Sequence, residues 1–216
     1  MAYTKAMLLI DTQRHRAFWR KTWLRLLATV LVFPGINLAL NHLIVLTEIP
    51  LFLDSIFTAM AACLGWPYGL ATAFMTNFYA ELMYGFPWRH LPFALCGMAT
   101  AVIVFRMIRM GKFSTPLNFV AATLLVAFAN SLLGAIIATL VFGGGTATNI
   151  DVIVMGFALI FDNIFSAAFL GRFVVNLVDK APAVLAAMYF WRYLGPFPGR
   201  PLLDTDEAAS AERGQL

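Results

Sequence analysis

Long apolar runs, separated by short connections and flanked by basic residues, constrain this chain more than any other feature. Six such runs occupy about residues 23–46, 51–64, 67–84, 91–110, 116–142 and 151–178. A backbone inside lipid has no water to satisfy its N–H and C=O groups, so each run is expected to be a helix. Since 61% of the residues are hydrophobic and only 12% are charged, we expect an all-α integral membrane protein, a bundle of six transmembrane helices.

The distribution of lysine and arginine sets the expected direction of these helices. Basic residues collect on the cytoplasmic side of membrane proteins. If residues 51–84 form two helices, broken at Gly65–Gly69, fourteen of the 15 basic residues face the cytoplasm and only Arg89 lies outside. If they form one helix, the two sides carry nearly equal numbers, eight outside and seven inside. The asymmetry therefore favours six spans with both termini in the cytoplasm.

Composition divides the chain into three parts. Residues 1–22 mix apolar and basic positions and are expected to lie along the cytoplasmic surface, while residues 23–178 form the transmembrane domain. Residues 179–216 are expected to contain an aromatic interfacial segment, 181–195, and a disordered polar tail. The net charge of +4 does not indicate nucleic-acid binding, because the basic residues flank apolar helices, where the headgroups of the lipid bilayer attract them.

Polar side chains within the apolar runs are costly in lipid and mark candidate functional positions. Most lie in the outer half of the predicted bundle or near its midplane, which suggests a ligand pocket open to the exterior. The candidate substrate-binding residues are Asn41, Glu48, Trp88, Arg89, Asn130, Asp151, Asp162 and Asn163. Asp162 and Asn163 are placed deep in the predicted sixth helix. Each position also has a structural alternative, because amides and hydroxyls in membrane helices often only join helices.

No pattern in the sequence indicates catalysis or a bound metal. Metal-ligand spacing, a nucleophile elbow and a phosphate-binding loop are all missing from it. We therefore expect a binding protein rather than an enzyme, with no catalytic residues and no cofactor. One weak internal echo is present: Leu53–Ala59 resembles Phe161–Ala167, and both segments are expected to run inward from the exterior.

Residues 50–80 resemble the substrate-binding S components of energy-coupling factor transporters. The resemblance rests on Leu51–Ala59, on Leu64–Ala73 with its Gly-Trp-Pro-Tyr-Gly turn, and on Thr76-Asn77. It implies a subunit of a bacterial or archaeal cell membrane that captures a small organic nutrient, a vitamin or its precursor, from outside. It also implies two kinds of partner, a membrane coupling subunit and cytoplasmic ATPase subunits that supply the energy.

One departure from that family concerns docking on the coupling subunit. Family members often carry Ala-x-x-x-Ala in the first span, and this chain has no such pair there. The nearest small-residue pair in that span, Gly35/Ala39, lies in its outer half, and docking could use other small-residue faces, such as Ala59/Cys63 or Gly69/Ala73. Two other functions stay open: a membrane sensor that passes ligand binding to a cytoplasmic partner, and a structural assembly subunit without a ligand.

Overall fold

The protein is described here by a computed structural model, which covers residues 22–85, 88–113, 115–146 and 148–194. Within these residues all regular structure is helical. The seven helices are α1 (Thr22–Leu46), α2 (Ile56–Ala62), α3 (Trp66–Met83), α4 (Ala94–Arg109), α5 (Pro116–Phe142), α6 (Asp151–Ala158) and α7 (Ile164–Tyr189). The predictions for residues 1–21 and for the tail 195–216 lie outside the described residues.

Four stretches are long and apolar enough to cross a bilayer. They are α1, α4 with the short 3-10 turn Leu91–Phe93 before it, α5, and α7 with its continuation to Tyr193. Their lengths are 25, 19, 27 and 30 residues, and about 20 residues suffice to span the hydrocarbon core. The chain is therefore an all-α, multi-pass membrane protein.

Helix α7 lies at the centre of the bundle, where it packs on α2, α5 and α6. Small residues make these close contacts possible, since helix backbones approach best where side chains are short. Ala59 of α2, Cys63 just after it and Ala73 of α3 are all buried in the bundle. A methyl group on Gly69 of α3 would come within 2.7 Å of the Ala101 Cβ atom of α4. Two of the three small-residue pairs considered for docking are thus already used inside the bundle.

The predicted break between the second and third apolar runs is confirmed. Helix α3 begins at Trp66 with Pro67 in its first turn, where a missing N–H costs nothing. The preceding Gly65 has φ +141°, a backbone conformation that residues with a side chain rarely adopt.

The second run is not the full helix that its composition predicts, because residues 51–55 are not helical and α2 begins only at Ile56. Side chains replace the missing helical hydrogen bonds. The Oδ1 atom of Asp179 accepts the N–H groups of Phe52 and Leu53 at 2.8 and 2.7 Å, and Asn41 donates to the Phe52 carbonyl at 2.9 Å. The non-helical segment therefore lies beside the middle of α7.

The sixth run is not one helix over residues 151–178, as expected, but a helical hairpin. Residues 159–163 separate α6 from α7, and the Asn163 side chain caps α7 by accepting the Phe165 N–H at 2.8 Å. The two helices then lie side by side, since a methyl group on Gly171 would come within 3.1 Å of the Val154 Cα atom. Asp162 consequently lies in an exposed turn at the end of the hairpin, rather than deep along an inward helix.

The expected end of the transmembrane domain at residue 178 is also wrong as a helix boundary. Helix α7 continues without interruption through Asp179, Lys180 and Pro182 to Tyr189. Charged residues in the middle of a helix would usually mark its exit from the membrane. Here the two charges lie 2.6 Å apart and are buried in the bundle, so the helix has no need to end there.

Candidate functional site

A cavity of about 450 Å³ opens between α1, α3, α7, the segment 51–54 and described residues of the connections that follow α3 and α5. This volume falls in the range of about 300–1,000 Å³ that is typical of small-molecule sites. Aromatic and aliphatic side chains make part of the wall. The polar side chains in the wall are Asn41, Asp54, Thr76, Asn77, Tyr84, Arg89, His90, Thr146, Thr148, Asn149 and Arg172.

A smaller recess of about 50 Å³ adjoins this cavity and reaches the centre of the bundle. The two spaces share the side chains of Phe52, Asp54, Phe93 and Arg172. Beyond them the recess is lined by Cys96, Gly97, Asn130, Gly134, Asn176 and Lys180. A ligand in the cavity would therefore have buried charged groups within reach at its inner end.

Lys180 is fully enclosed and lies between two carboxylates. Its Nζ atom is 2.6 Å from Asp179 Oδ2 and 3.2 Å from Asp54 Oδ1, and it donates to the Ser55 hydroxyl at 3.0 Å. Asp179 is buried completely, whereas the Asp54 side chain is 34% exposed. A buried charge is tolerated when it is paired and hydrogen bonded. This cluster therefore holds the segment 51–55 against α7 and presents Asp54 to the cavity.

Arg172 is the second buried cation, only 2% exposed. Its Nη2 atom donates to the Thr146 hydroxyl at 3.1 Å, and its guanidinium lies 5.6 Å from the centre of the Phe93 ring. Thr146 is held in turn by Asp151, which accepts its N–H at 2.7 Å and its hydroxyl at 2.9 Å. Asp151 thus acts on Arg172 through a threonine and does not pair with it directly.

Glu81 organises the mouth of the cavity. This buried carboxylate accepts the backbone N–H groups of Trp88, His90 and Leu91, and so fixes the connection that carries Arg89. The His90 ring stacks on Tyr84 with 5.0 Å between ring centres. Burial lowers the pKa of His90 below its usual value of 6.5, and the nearby Glu81 only partly opposes that shift. His90 is therefore neutral at pH 7.

Four of the predicted site residues lie at or next to these spaces. Asn41 and Arg89 line the cavity, and Asn130 lines the recess. Asn130 also donates to the Thr100 hydroxyl at 2.9 Å, so it joins α5 to α4 as well. Asp151 is not in the cavity wall, but it positions Thr146, which is.

The other four predicted residues lie elsewhere. Glu48 is exposed just after α1 with φ +59°, and the Trp88 side chain is 63% exposed. Asp162 and Asn163 are exposed at the tip of the α6–α7 hairpin. None of these four side chains lines either space. The depth expected for Asp162 and Asn163 assumes one straight sixth helix, and the structure has a helical hairpin there instead.

Sequence reasoning missed the charged groups that dominate the site, namely Arg172, Asp179 and Lys180. The charge pattern places Arg172 and Lys180 with the basic residues of the cytoplasmic side, and it says nothing of Asp179. One signal was present: apolar residues continue on both sides of Asp179-Lys180, which is the pattern of a charge pair within a helix rather than at its end.

Comparison with protein-family models, with curated proteins and with solved structures finds no match to this chain.

Proposed function

We propose that this protein is the membrane-embedded binding subunit of an uptake system for a small organic nutrient, a vitamin or its precursor, energised by partner ATPases. The observation that carries the proposal is the 450 Å³ cavity, whose polar wall is built from separate parts of the chain, with buried Arg172 in that wall and buried Lys180 in the adjoining recess. Intramembrane charges that face a cavity mark ligand or ion pathways in membrane proteins. Binding without chemical conversion accounts for this arrangement.

The proposed topology has six crossings with both termini in the cytoplasm. The segment 51–62, only partly helical, makes the second crossing together with its flanks, and α7 alone makes the sixth. In this arrangement α1, α3 and α5 all end outside. The cavity mouth, formed by the connections after α3 and α5, then opens to the exterior, as capture of a nutrient from outside requires.

Docking on a membrane coupling subunit needs an exposed helix surface. Of the three small-residue pairs considered above, only Gly35/Ala39 is exposed, and nothing lies within 4 Å of the position where a Gly35 methyl group would be. The resemblance to S components supports such a partner, and the lipid-facing side of α1 is available for it.

The first experiment is native mass spectrometry of the protein purified in mild detergent. Release of one small organic molecule in stoichiometric amount supports a binding subunit. The matched test replaces Asn41, in the cavity wall, by leucine. Asn118→Leu, at a half-buried position of α5 that lines neither space, is its control. Loss of the molecule from the first variant alone supports the cavity as the site, whereas equal retention by both variants refutes it.

A pull-down from the native membrane separates uptake from the sensor alternative. Recovery of ATPase subunits and a second membrane protein supports uptake, and their addition should give ligand-dependent ATP hydrolysis. Recovery of a kinase or another regulator without an ATPase would contradict the uptake proposal and favour a sensor.

A further inference from the structure

Two buried cations face the cavity and recess, and their surroundings differ in one decisive respect. Lys180 has carboxylate oxygens at 2.6 and 3.2 Å. Among the described residues, no carboxylate oxygen lies within 4.0 Å of the Arg172 guanidinium. Within the described part of the chain, Lys180 is thus paired with two acids, whereas Arg172 has no direct counter-ion.

One hydrogen-bond donor of the Arg172 guanidinium also has no acceptor. Its Nε atom is buried and has no hydrogen-bond partner. It lies next to Gly134, where a methyl group would come within 3.3 Å of the Arg172 Cδ atom, and Gly134 lines the recess. A buried donor of a charged group that has no hydrogen-bond partner destabilises the fold. An oxygen supplied by a bound molecule would remove that cost.

We infer that Arg172 recognises a carboxylate group of the ligand, so that the nutrient is an organic carboxylate. Guanidinium groups bind carboxylates with paired, charge-assisted hydrogen bonds. The neighbouring Phe93 ring and the Thr146 hydroxyl hold the guanidinium in place, so little order is lost on binding. This inference rests on the proposed binding function and specifies its ligand class.

The remaining charges favour a single negative charge over a double one. Asp54 lines the same two spaces with 34% of its side chain exposed, and Asp151 lies one threonine away from Arg172. Both would repel a phosphate dianion more than a carboxylate monoanion. The site therefore suits carboxylates better than phosphate esters.

The test measures binding of matched probes to the purified protein by saturation-transfer NMR and by thermal shift. The probes are benzoate, nicotinate and 4-aminobenzoate, their three primary amides, and phenyl phosphate. We expect the acids to bind about tenfold or more tightly than the amides, because only the acids accept charge-assisted hydrogen bonds from Arg172, and phenyl phosphate to bind more weakly than benzoate.

Three variants connect the preference to the residue. Arg172→Gln should abolish the preference for acids, Arg172→Lys should keep part of it, and Arg106→Gln, at an exposed position of α4, should leave it unchanged. Gel filtration and the melting temperature establish that each variant is folded, and Arg172→Lys keeps the test valid if the glutamine variant does not fold.

Equal binding of acids and amides to the wild-type protein would overturn the inference while leaving the binding function in place. Retention of the acid preference by Arg172→Gln would do the same, as would tighter binding of phenyl phosphate than of benzoate. If no probe bound and no organic molecule purified with the protein, both the ligand class and the binding function would be refuted.

Discussion

Replacing Asp179 by alanine is predicted to destabilise the bundle more than any replacement on its surface. The Asp179 carboxylate is completely buried and serves two purposes. Its Oδ1 atom accepts the N–H groups of Phe52 and Leu53, and its Oδ2 atom lies 2.6 Å from Lys180 Nζ. Because the segment 51–55 is not helical, no helical carbonyl can accept these two N–H groups if the carboxylate is removed.

The expected loss follows from these contacts. Each buried N–H left without an acceptor costs about 1–3 kcal/mol, so the two together cost about 2–6 kcal/mol. Breaking a buried ion pair costs about 3–5 kcal/mol in full, but Lys180 keeps Asp54 at 3.2 Å, so only part of that cost is added. We expect Asp179→Ala to lower the free energy of unfolding by about 3–6 kcal/mol, and Asp179→Asn by about half as much, since the amide oxygen still accepts both N–H groups.

The assay is SDS titration of the protein in mixed micelles, followed by tryptophan fluorescence and by circular dichroism. Asp162→Ala is the control, because it also removes an aspartate carboxylate but at an exposed position. Its replacement should change the free energy of unfolding by less than about 0.5 kcal/mol. A loss below about 1 kcal/mol for Asp179→Ala would refute the acceptor role. Equal losses for the alanine and asparagine variants would show that the ion pair alone matters.

Three further predictions concern other parts of the bundle. Glu81→Ala should cost about 2–5 kcal/mol and speed hydrogen exchange in residues 88–91, because three backbone N–H groups lose their acceptor; unchanged exchange there would contradict this role. Gly69→Ala should lower stability by about 1–3 kcal/mol through overpacking, while Gly35→Ala, with open space around it, should be tolerated in the same SDS titration. Since burial lowers the pKa of His90 in the folded protein, the unfolded chain binds the proton first as the pH falls below 6.5. The contribution of His90 to stability should therefore be constant above pH 6.5 and should fall as the pH drops below that value. We expect His90→Gln to flatten a plot of melting temperature against pH.

The helical class and the split at Gly65 could be predicted because both follow from local rules. Apolar runs near 20 residues must be helices in lipid, and glycine followed shortly by proline ends one helix and starts another. The non-helical segment 51–55 could not be predicted in this way. It exists because Asp179, more than 120 residues later in the chain, supplies the acceptor for its N–H groups, and no local pattern carries that information.

Local patterns likewise place some residues of the candidate site correctly and others not. Asn41 and Arg89 lie on a predicted helix end and a predicted connection, and both line the cavity. The depth expected for Asp162 in the membrane is wrong because it assumes that residues 151–178 form one straight helix. The hairpin depends on contacts between α6 and α7, such as that of Val154 with Gly171, which hydropathy does not reveal.

The internal echo gains a definite structural meaning from these corrections. Its two copies align Asp54-Ser55 with Asp162-Asn163, and in both copies a helix starts at the next residue, Ile56 in one and Ile164 in the other. The echo thus marks two helix starts after non-helical segments. What differs is the environment of the aspartate: Asp54 pairs with Lys180 in the cavity wall, whereas Asp162 is exposed.

The count of basic residues still supports six crossings when two of those residues are left out. Arg172 and Lys180 were assigned to the cytoplasmic side but lie buried in the bundle. Without them the six-span arrangement places twelve basic residues inside and one outside, while the alternative places seven inside and six outside. The asymmetry therefore still favours six crossings, by a smaller margin. The two residues removed from the count are the two cations that face the cavity and recess, because a basic residue kept within the bilayer must find its partners in the protein or in a ligand.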